Sequence, residues 1–183
     1  MKALVAAWTS IALGISLAFA VIANPQSISG KDVLTATAYA SYDPVGRGMN
    51  LEVAVVLKIK PGFHINARKP TADYLIPTDL RLDVPAGFKL VDVIYPPGTL
   101  QTFAFSKNKQ LNVYTDTVAI RIPLLVLADA PLGPLQVPMK LRYQACSTEI
   151  CLPPVTKDIA LTLHVVAAHA HVKPANPDIF QKK

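Results

Sequence analysis

The sequence lacks the residue patterns that mark most enzymatic and nucleic-acid-binding sites. It contains no serine, histidine and acid arrangement, no glycine-rich phosphate loop and no carboxylate pair, which argues against hydrolase or transferase chemistry. The formal net charge is +6, but the basic residues are scattered along the chain. Because nucleic-acid binding needs a concentrated basic stripe, we expect no nucleic acid as a partner.

Cysteine is almost absent and histidine is sparse. The two cysteines, Cys146 and Cys151, are separated by four residues. A zinc site on this pair would need two more ligands, and none of the four histidines is spaced to supply them. The sequence therefore predicts no metal site, no cofactor and no small-molecule substrate.

Long apolar runs are confined to the N-terminus. Lys2 precedes an apolar stretch that reaches Ala18-Phe19-Ala20, where the small residues Ala18 and Ala20 suit a cleavage site, a pattern typical of a secretory signal peptide. It predicts a signal over residues 1–20 with cleavage at 20–23. The apolar stretch continues to Ala23, so an uncleaved membrane anchor is the alternative. In both cases we expect an exported or periplasmic protein, in a compartment where thiols oxidise.

Apolar and polar residues alternate through much of the remaining chain, as in strands with one buried face. Residues 51–59 and 135–143 show this alternation, and the second segment places Tyr143 on the inner face. Turns with proline and glycine recur at intervals of about ten residues, and no convincing amphipathic helix appears. The pattern predicts an all-β antiparallel sandwich. Further strands are predicted over residues 33–40, 80–84, 88–95, 118–127 and 159–166.

One domain is expected over residues 28–166. About 160 residues remain after the signal peptide, which is enough for a core that holds without many crosslinks. Residues 167–183 lose the periodicity and include His169, His171 and two terminal lysines. We expect this stretch to be a flexible basic tail.

The cysteine pair is open to two interpretations, a redox switch or a structural staple. Continued strand alternation places Cys146 on the outer face, where exposure would suit a reactive thiol. Closing roughly six residues stabilises a fold by only about 2 kcal/mol, less than a longer loop would. Exported proteins nevertheless contain many short structural disulfides, so the spacing alone slightly favours the staple.

Five short segments, two of which flank the cysteines, share a pattern with a known family. They are Tyr143-Gln-Ala-Cys146, Cys151-Leu-Pro-Pro154, Gly62-Phe-His-Ile-Asn-Ala67, Asp73-Tyr-Leu-Ile-Pro-Thr78 and Val113-Tyr114. These segments resemble the N-terminal periplasmic domains of DsbD thiol:disulfide interchange proteins, and the resemblance covers roughly residues 33–166. It implies an immunoglobulin-like sandwich whose disulfide accepts electrons from a thioredoxin-like domain and passes them to oxidised periplasmic proteins.

The resemblance also implies residue roles. Cys151 matches the family's cysteine that forms mixed disulfides with partners, and Cys146 is then the resolving thiol, so these two are the expected catalytic residues. The family shields its disulfide with an aromatic cap loop, which makes Phe103 or Phe105 the expected shield. His64 and Tyr143 are expected near the site.

The chain departs from the family pattern in three respects. The cysteine spacing is one residue shorter than in the best-known member, and Gln101 and Thr102 replace acidic residues beside its cap aromatic. The chain has neither the membrane domain nor the thioredoxin-like domain, so we expect a separate thioredoxin-like donor or membrane electron carrier. The alternative function is a non-redox protein-binding or assembly domain in which the disulfide only shapes a docking loop.

Overall fold

The structure, a computed structural model, describes residues 28–181. The predicted signal peptide and its cleavage site lie outside these residues. Within the described part of the chain, none of the helices has the length and apolar character needed to cross a bilayer. The strands are β1 (Leu34–Ala40), β2 (Val45–Gly46), β3 (Asn50–Ile59), β4 (His64–Asn66), β5 (Asp79–Leu82), β6 (Phe88–Leu90), β7 (Thr99–Thr102), β8 (Gln110–Tyr114), β9 (Thr117–Val126), β10 (Gly133–Tyr143), β11 (Ala145–Cys146) and β12 (Val155–Val166).

Two four-stranded sheets form the sandwich. Their strand orders are β1-β3-β9-β6 and β2-β12-β10-β5, and the pairing is antiparallel except between β12 and the short β2. The inward side chains of both sheets join in one hydrophobic core. The alternation in residues 51–59 predicted this core correctly, because the residues that it places inward are at most 6% exposed: Leu51, Val53, Val55, Leu57 and Ile59. The all-β, immunoglobulin-like sandwich is confirmed.

A third four-stranded sheet lies at one end of the sandwich, in the order β11-β4-β8-β7. Three of its strands continue strands of the two main sheets. β4 follows β3 after four residues, β8 precedes β9 by two residues, and β11 follows β10 after the single residue Gln144. The ends of β3, β9 and β10 lie at the same end of the sandwich, and their continuations therefore pair with one another there.

The C-terminal segment, where a flexible tail is expected, contacts the sandwich. The Ala175 amide donates a hydrogen bond to the Ser41 carbonyl at 2.8 Å, and a single helical turn, α1 (Pro177–Phe180), follows. The Arg121 guanidinium donates to the Ile179 carbonyl at 2.6 Å. Alternation could not reveal this docking, because individual hydrogen bonds and the contact of Arg121 with the Phe180 ring, rather than a periodic apolar face, hold the segment.

Candidate functional site

Cys146 and Cys151 form a disulfide at the outer strand of the third sheet. Their sulfur atoms are 2.02 Å apart, and their Cα atoms are 3.9 Å apart. The two residues also face each other as an isolated antiparallel bridge. The disulfide therefore joins the two sides of a small hairpin that follows the end of β10.

Hydrogen bonds close this hairpin independently of the sulfur atoms. The Ser147 amide donates to the Ile150 carbonyl at 2.8 Å, and the Ser147 hydroxyl accepts from the Ile150 amide at 3.1 Å. Below the disulfide, the Leu152 amide donates to the Ala145 carbonyl at 2.8 Å. The hairpin thus has its own backbone support on both sides of the S–S bond.

The two cysteines differ in their access to solvent. Cys146 is 0% exposed, whereas Cys151 is partly exposed. The expectation that Cys146 lies on the outer face is wrong, because the alternation of β10 ends at Gln144. Cys146 belongs to β11, which pairs with β4 in the third sheet. The direction of its side chain is therefore determined by that sheet and not by the alternation of β10. Of the two cysteines, Cys151 is therefore the one that is accessible to solvent.

His64 lies directly across from Cys146. The ladder between β4 and β11 pairs these two residues, so their side chains project from the same face of the sheet. The imidazole is 2% exposed, and its Nε2 has no hydrogen-bond partner among the described residues. Burial lowers the pKa of His64 from 6.5 to about 4, so the ring is neutral at pH 7.

Phe103 stacks on the imidazole of His64. The two ring centroids are 3.9 Å apart and the ring planes differ by 12°. Phe105 stacks in turn on Phe103, with centroids 5.6 Å apart. Both phenylalanines also pack against a small separate hydrophobic cluster that includes Leu75 and Leu111. The structure thus places Phe103 against the residue that faces Cys146, and Phe105 lies beside this stack, with its centroid 6.2 Å from that of the imidazole.

The two phenylalanines lie in the loop of the hairpin between β7 and β8, which we call the cap loop (residues 103–109). A 3-10 turn spans Ala104–Ser106. The buried Ser106 hydroxyl accepts a hydrogen bond from the Phe103 amide at 3.1 Å and donates to the Lys109 carbonyl at 2.7 Å. These bonds hold the backbone of Phe103 and thereby orient its ring toward His64.

A cavity of about 290 Å³ lies between the cap loop, β4 and the disulfide hairpin. Its lining includes His64, Phe103 and Thr148, the last from the loop between the cysteines. Two charged residues, Lys60 and Asp116, also line it. The cap loop and the hairpin therefore border one opening.

Gln144 and Asn66 form a polar link that the sequence analysis missed. The Gln144 amide nitrogen donates to the Leu152 carbonyl at 3.3 Å, and its Oε1 accepts from Asn66 Nδ2 at 3.3 Å. Asn66 is buried and also donates to the Ile76 carbonyl at 3.0 Å. The link joins the hairpin to β4, and only the position of both residues within the matching segments could have indicated it.

Tyr143 is placed in the core below the hairpin. Its ring is 0% exposed, and its hydroxyl donates to the Gly30 carbonyl at 2.9 Å. Burial raises the pKa of Tyr143 to about 12, so the hydroxyl keeps its proton at neutral pH. This contact ties the end of β10 to the turn that precedes β1.

Together these features define a class of protein, an immunoglobulin-like sandwich with one short-loop disulfide beside an aromatic cap loop. Residues 31–163 match the family described as thiol:disulfide interchange protein DsbD, N-terminal. Since the match covers most of the chain, the protein belongs to the DsbD N-terminal domain family. The resemblance seen in the sequence is thereby confirmed, and a disulfide between Cys146 and Cys151 supports thiol–disulfide exchange.

Several solved structures are similar to this chain. The reduced N-terminal domain of Neisseria meningitidis DsbD matches at 18% identity over 81% of this chain and 95% of that chain, with a TM-score of 0.47. The N-terminal periplasmic domain of ScsB from Proteus mirabilis matches at 17% identity over 70% of this chain and 46% of that chain, with a TM-score of 0.46. A complex of the DsbD and PilB N-terminal domains from Neisseria meningitidis matches at 16% identity over 74% and 87%, with a TM-score of 0.44. No curated protein matches the sequence.

Proposed function

We propose that this protein is a periplasmic thiol–disulfide exchange module that accepts electrons from a thioredoxin-like donor and passes them to oxidised exported proteins. The observation that carries the proposal is the unequal exposure of the bonded cysteines, with Cys151 partly exposed and Cys146 buried. An exchange site needs one sulfur that a partner thiolate can attack and a second that receives the displaced electron pair. Cys151 and Cys146 fit these two roles.

Reduction begins when a donor thiolate attacks Sγ of Cys151. A mixed disulfide forms, the bond to Cys146 breaks, and its electron pair goes to Sγ of Cys146. A second donor thiolate then attacks the donor's own sulfur in the mixed disulfide, which closes the donor disulfide and releases Cys151 as a thiolate. The protein has gained two electrons as two thiolates, which exchange protons with solvent.

Oxidation runs the same chemistry toward an exported substrate. The Cys151 thiolate attacks a substrate disulfide and forms a mixed disulfide, and one substrate sulfur leaves as a thiolate. Cys146 then attacks Sγ of Cys151, which restores the internal disulfide and releases the second substrate sulfur. The separation of 3.9 Å between the two Cα atoms keeps the resolving cysteine within reach.

Phe103 is the proposed shield of the site, with Phe105 packed beside it. Support comes from the stack of Phe103 on His64 and from the cavity that the cap loop shares with the hairpin. A partner that docks at Cys151 would meet this loop. We also propose residues 1–20 as the export signal and residues 28–166 as the exchange domain.

The reduction potential of the disulfide tests the proposal. Structural disulfides typically have reduction potentials below about −300 mV. Equilibration with dithiothreitol or a thioredoxin-like protein should give a potential well above this value. A disulfide that resists this reduction while the fold stays native would rule out the exchange function.

The alternative is a non-redox protein-binding domain, and one observation favours it. Ile150, in the hairpin between the cysteines, is 61% exposed, as a docking side chain would be. On that alternative the Cys146–Cys151 bond only shapes the loop, and its potential would lie in the structural range.

A further inference from the structure

Two buried side-chain atoms near the site have no hydrogen-bond partner among the described residues, Oδ1 of Asn66 and Nε2 of His64. The His64 imidazole is 2% exposed. Buried polar atoms normally have a hydrogen-bond partner, and each exception calls for a physical reason. The reason should lie in whatever faces this ring.

Cys146 is the residue that faces it. His64 and Cys146 oppose each other across the β4–β11 ladder, and directly opposed residues bring their Cβ atoms to about 4.5–5.5 Å. Phe103 stacks on the imidazole, which limits the positions that the ring can take. The histidine is thereby kept opposite Cys146.

Reduction changes what Cys146 offers to this ring. A disulfide sulfur is a weak hydrogen-bond acceptor, whereas a thiolate carries a full negative charge and accepts strongly. Cys146 receives the electron pair when the S–S bond breaks, and its burial disfavours that charge. Once the bond is broken, the Cys146 side chain is free to rotate about Cα–Cβ toward its neighbour. Reduction therefore creates an acceptor next to the donor that lacks one.

We propose that His64 stabilises the Cys146 thiolate of the reduced protein by donating the hydrogen on Nε2 to Sγ of Cys146. His64 is thus a thiolate-stabilising residue for the resolving cysteine. The proposal rests on the proposed exchange function and names the group that assists it. In the tautomer that carries its hydrogen on Nε2, the imidazole stays neutral and no proton leaves it. The electron pair remains on sulfur until it attacks Cys151.

Other charged groups near the site are less suited to this role. Lys60 and Asp116 line the same cavity with opposite charges. Glu149 of the hairpin and Lys107 and Lys109 of the cap loop are exposed, so solvent screens them. His64 is the group that is both buried and paired with Cys146.

The test uses the Cys151→Ser chain, in which Cys146 is the single thiol. Thiolate absorbance near 240 nm is followed against pH in chains that carry His64, His64→Phe or His64→Gln. His64→Phe keeps an aromatic ring for the stack on Phe103 but removes the donor, whereas His64→Gln restores an N–H. We expect the titration midpoint of the thiol to rise by about one pH unit in His64→Phe, since hydrogen bonds to charged groups are among the stronger ones. His64→Gln should recover at least half of that shift.

The reduction potential of chains with both cysteines gives a second readout. At a pH above the Cys146 titration midpoint in both chains, losing a tenfold stabilisation of the thiolate in His64→Phe would make the potential about 30 mV more negative. An unchanged midpoint and an unchanged potential in folded His64→Phe would overturn the proposal. If His64→Phe does not fold, His64→Leu takes its place as the variant without a hydrogen-bond donor. It is then compared with His64→Gln, which has one.

The outcomes separate this proposal from the exchange function itself. A wild-type potential in the structural range would defeat the exchange function, and the midpoint of Cys146 would still test the contact with His64. A wild-type potential in the exchange range with no effect of His64→Phe would overturn the role of His64 alone.

Discussion

His64 and Cys146 face each other across two short antiparallel strands that belong to distant parts of the chain. The contact exists because β3 and β10 end at the same end of the sandwich and continue into β4 and β11. It sets the buried cysteine against a neutral imidazole and leaves Cys151 at the surface. The site is therefore asymmetric, and the predictions below depend on that asymmetry.

The two cysteines should trap partners to different extents. Cys146→Ala should accumulate a mixed disulfide through Cys151 with a thioredoxin-like donor that lacks its second cysteine. Cys151→Ala should trap at least tenfold less, because Cys146 is buried. Non-reducing electrophoresis and mass spectrometry of the linked peptide measure both yields. Preferential trapping through Cys146 would reverse the assigned roles.

Reduction should leave the fold intact. The hairpin keeps its hydrogen bonds on both sides of the S–S bond, and closing a loop of about six residues contributes only about 2 kcal/mol on the chain-entropy model. Urea unfolding of the oxidised protein and of the Cys146→Ala/Cys151→Ala double variant measures the difference. Global unfolding of the double variant at 25 °C would show that the disulfide is essential to the fold.

Removing the Phe103 ring should expose the site to small thiols. Phe103→Ala eliminates the stack on His64, and we expect the disulfide to be reduced several-fold faster by dithiothreitol. The matched control is Leu100→Ala in the neighbouring strand β7, whose side chain is 54% exposed and should not affect the rate. Equal rates of disulfide reduction in Phe103→Ala and the wild type would show that Phe103 does not shield the site.

Stability should fall in acid through His64. Its pKa is about 4 in the folded protein and 6.5 when unperturbed, so the unfolded chain binds more protons between these values. Stability therefore rises with pH across this window, and protonation costs the fold about 3 kcal/mol once the pH has fallen to about 4. Urea unfolding at pH 7 and pH 4 should show this loss in the wild type and a smaller one in His64→Gln. Equal pH dependence in the two proteins would contradict it.

Tyr143→Phe should affect stability without affecting redox chemistry. The substitution removes the hydroxyl that donates to the Gly30 carbonyl at 2.9 Å and leaves a buried acceptor without its partner. The expected cost is about 1–3 kcal/mol in the free energy of unfolding. The reduction potential should be unchanged. A shift of the potential would place Tyr143 in the site rather than in the scaffold.

Much of the sandwich could be predicted from local patterns. Alternation over residues 51–59 and 135–143 identified β3 and β10 and the inward position of Tyr143, because a half-buried strand imposes a period of two on the sequence. The motif around Cys146 and Cys151 indicated the family, which the match over residues 31–163 confirms.

The geometry of the site was not available from those patterns. β4 and β11 have three and two residues, too few to show a period, and their pairing depends on backbone hydrogen bonds that any residue can make. The alternation of β10 stops at Gln144, so the burial of Cys146 could not be extrapolated from it. The docking of residues 173–180 could not be predicted either, because this segment has no periodic apolar face. Periodic side chains thus determined which segments are strands, whereas long-range pairing brought His64 to Cys146 and left Cys151 at the surface.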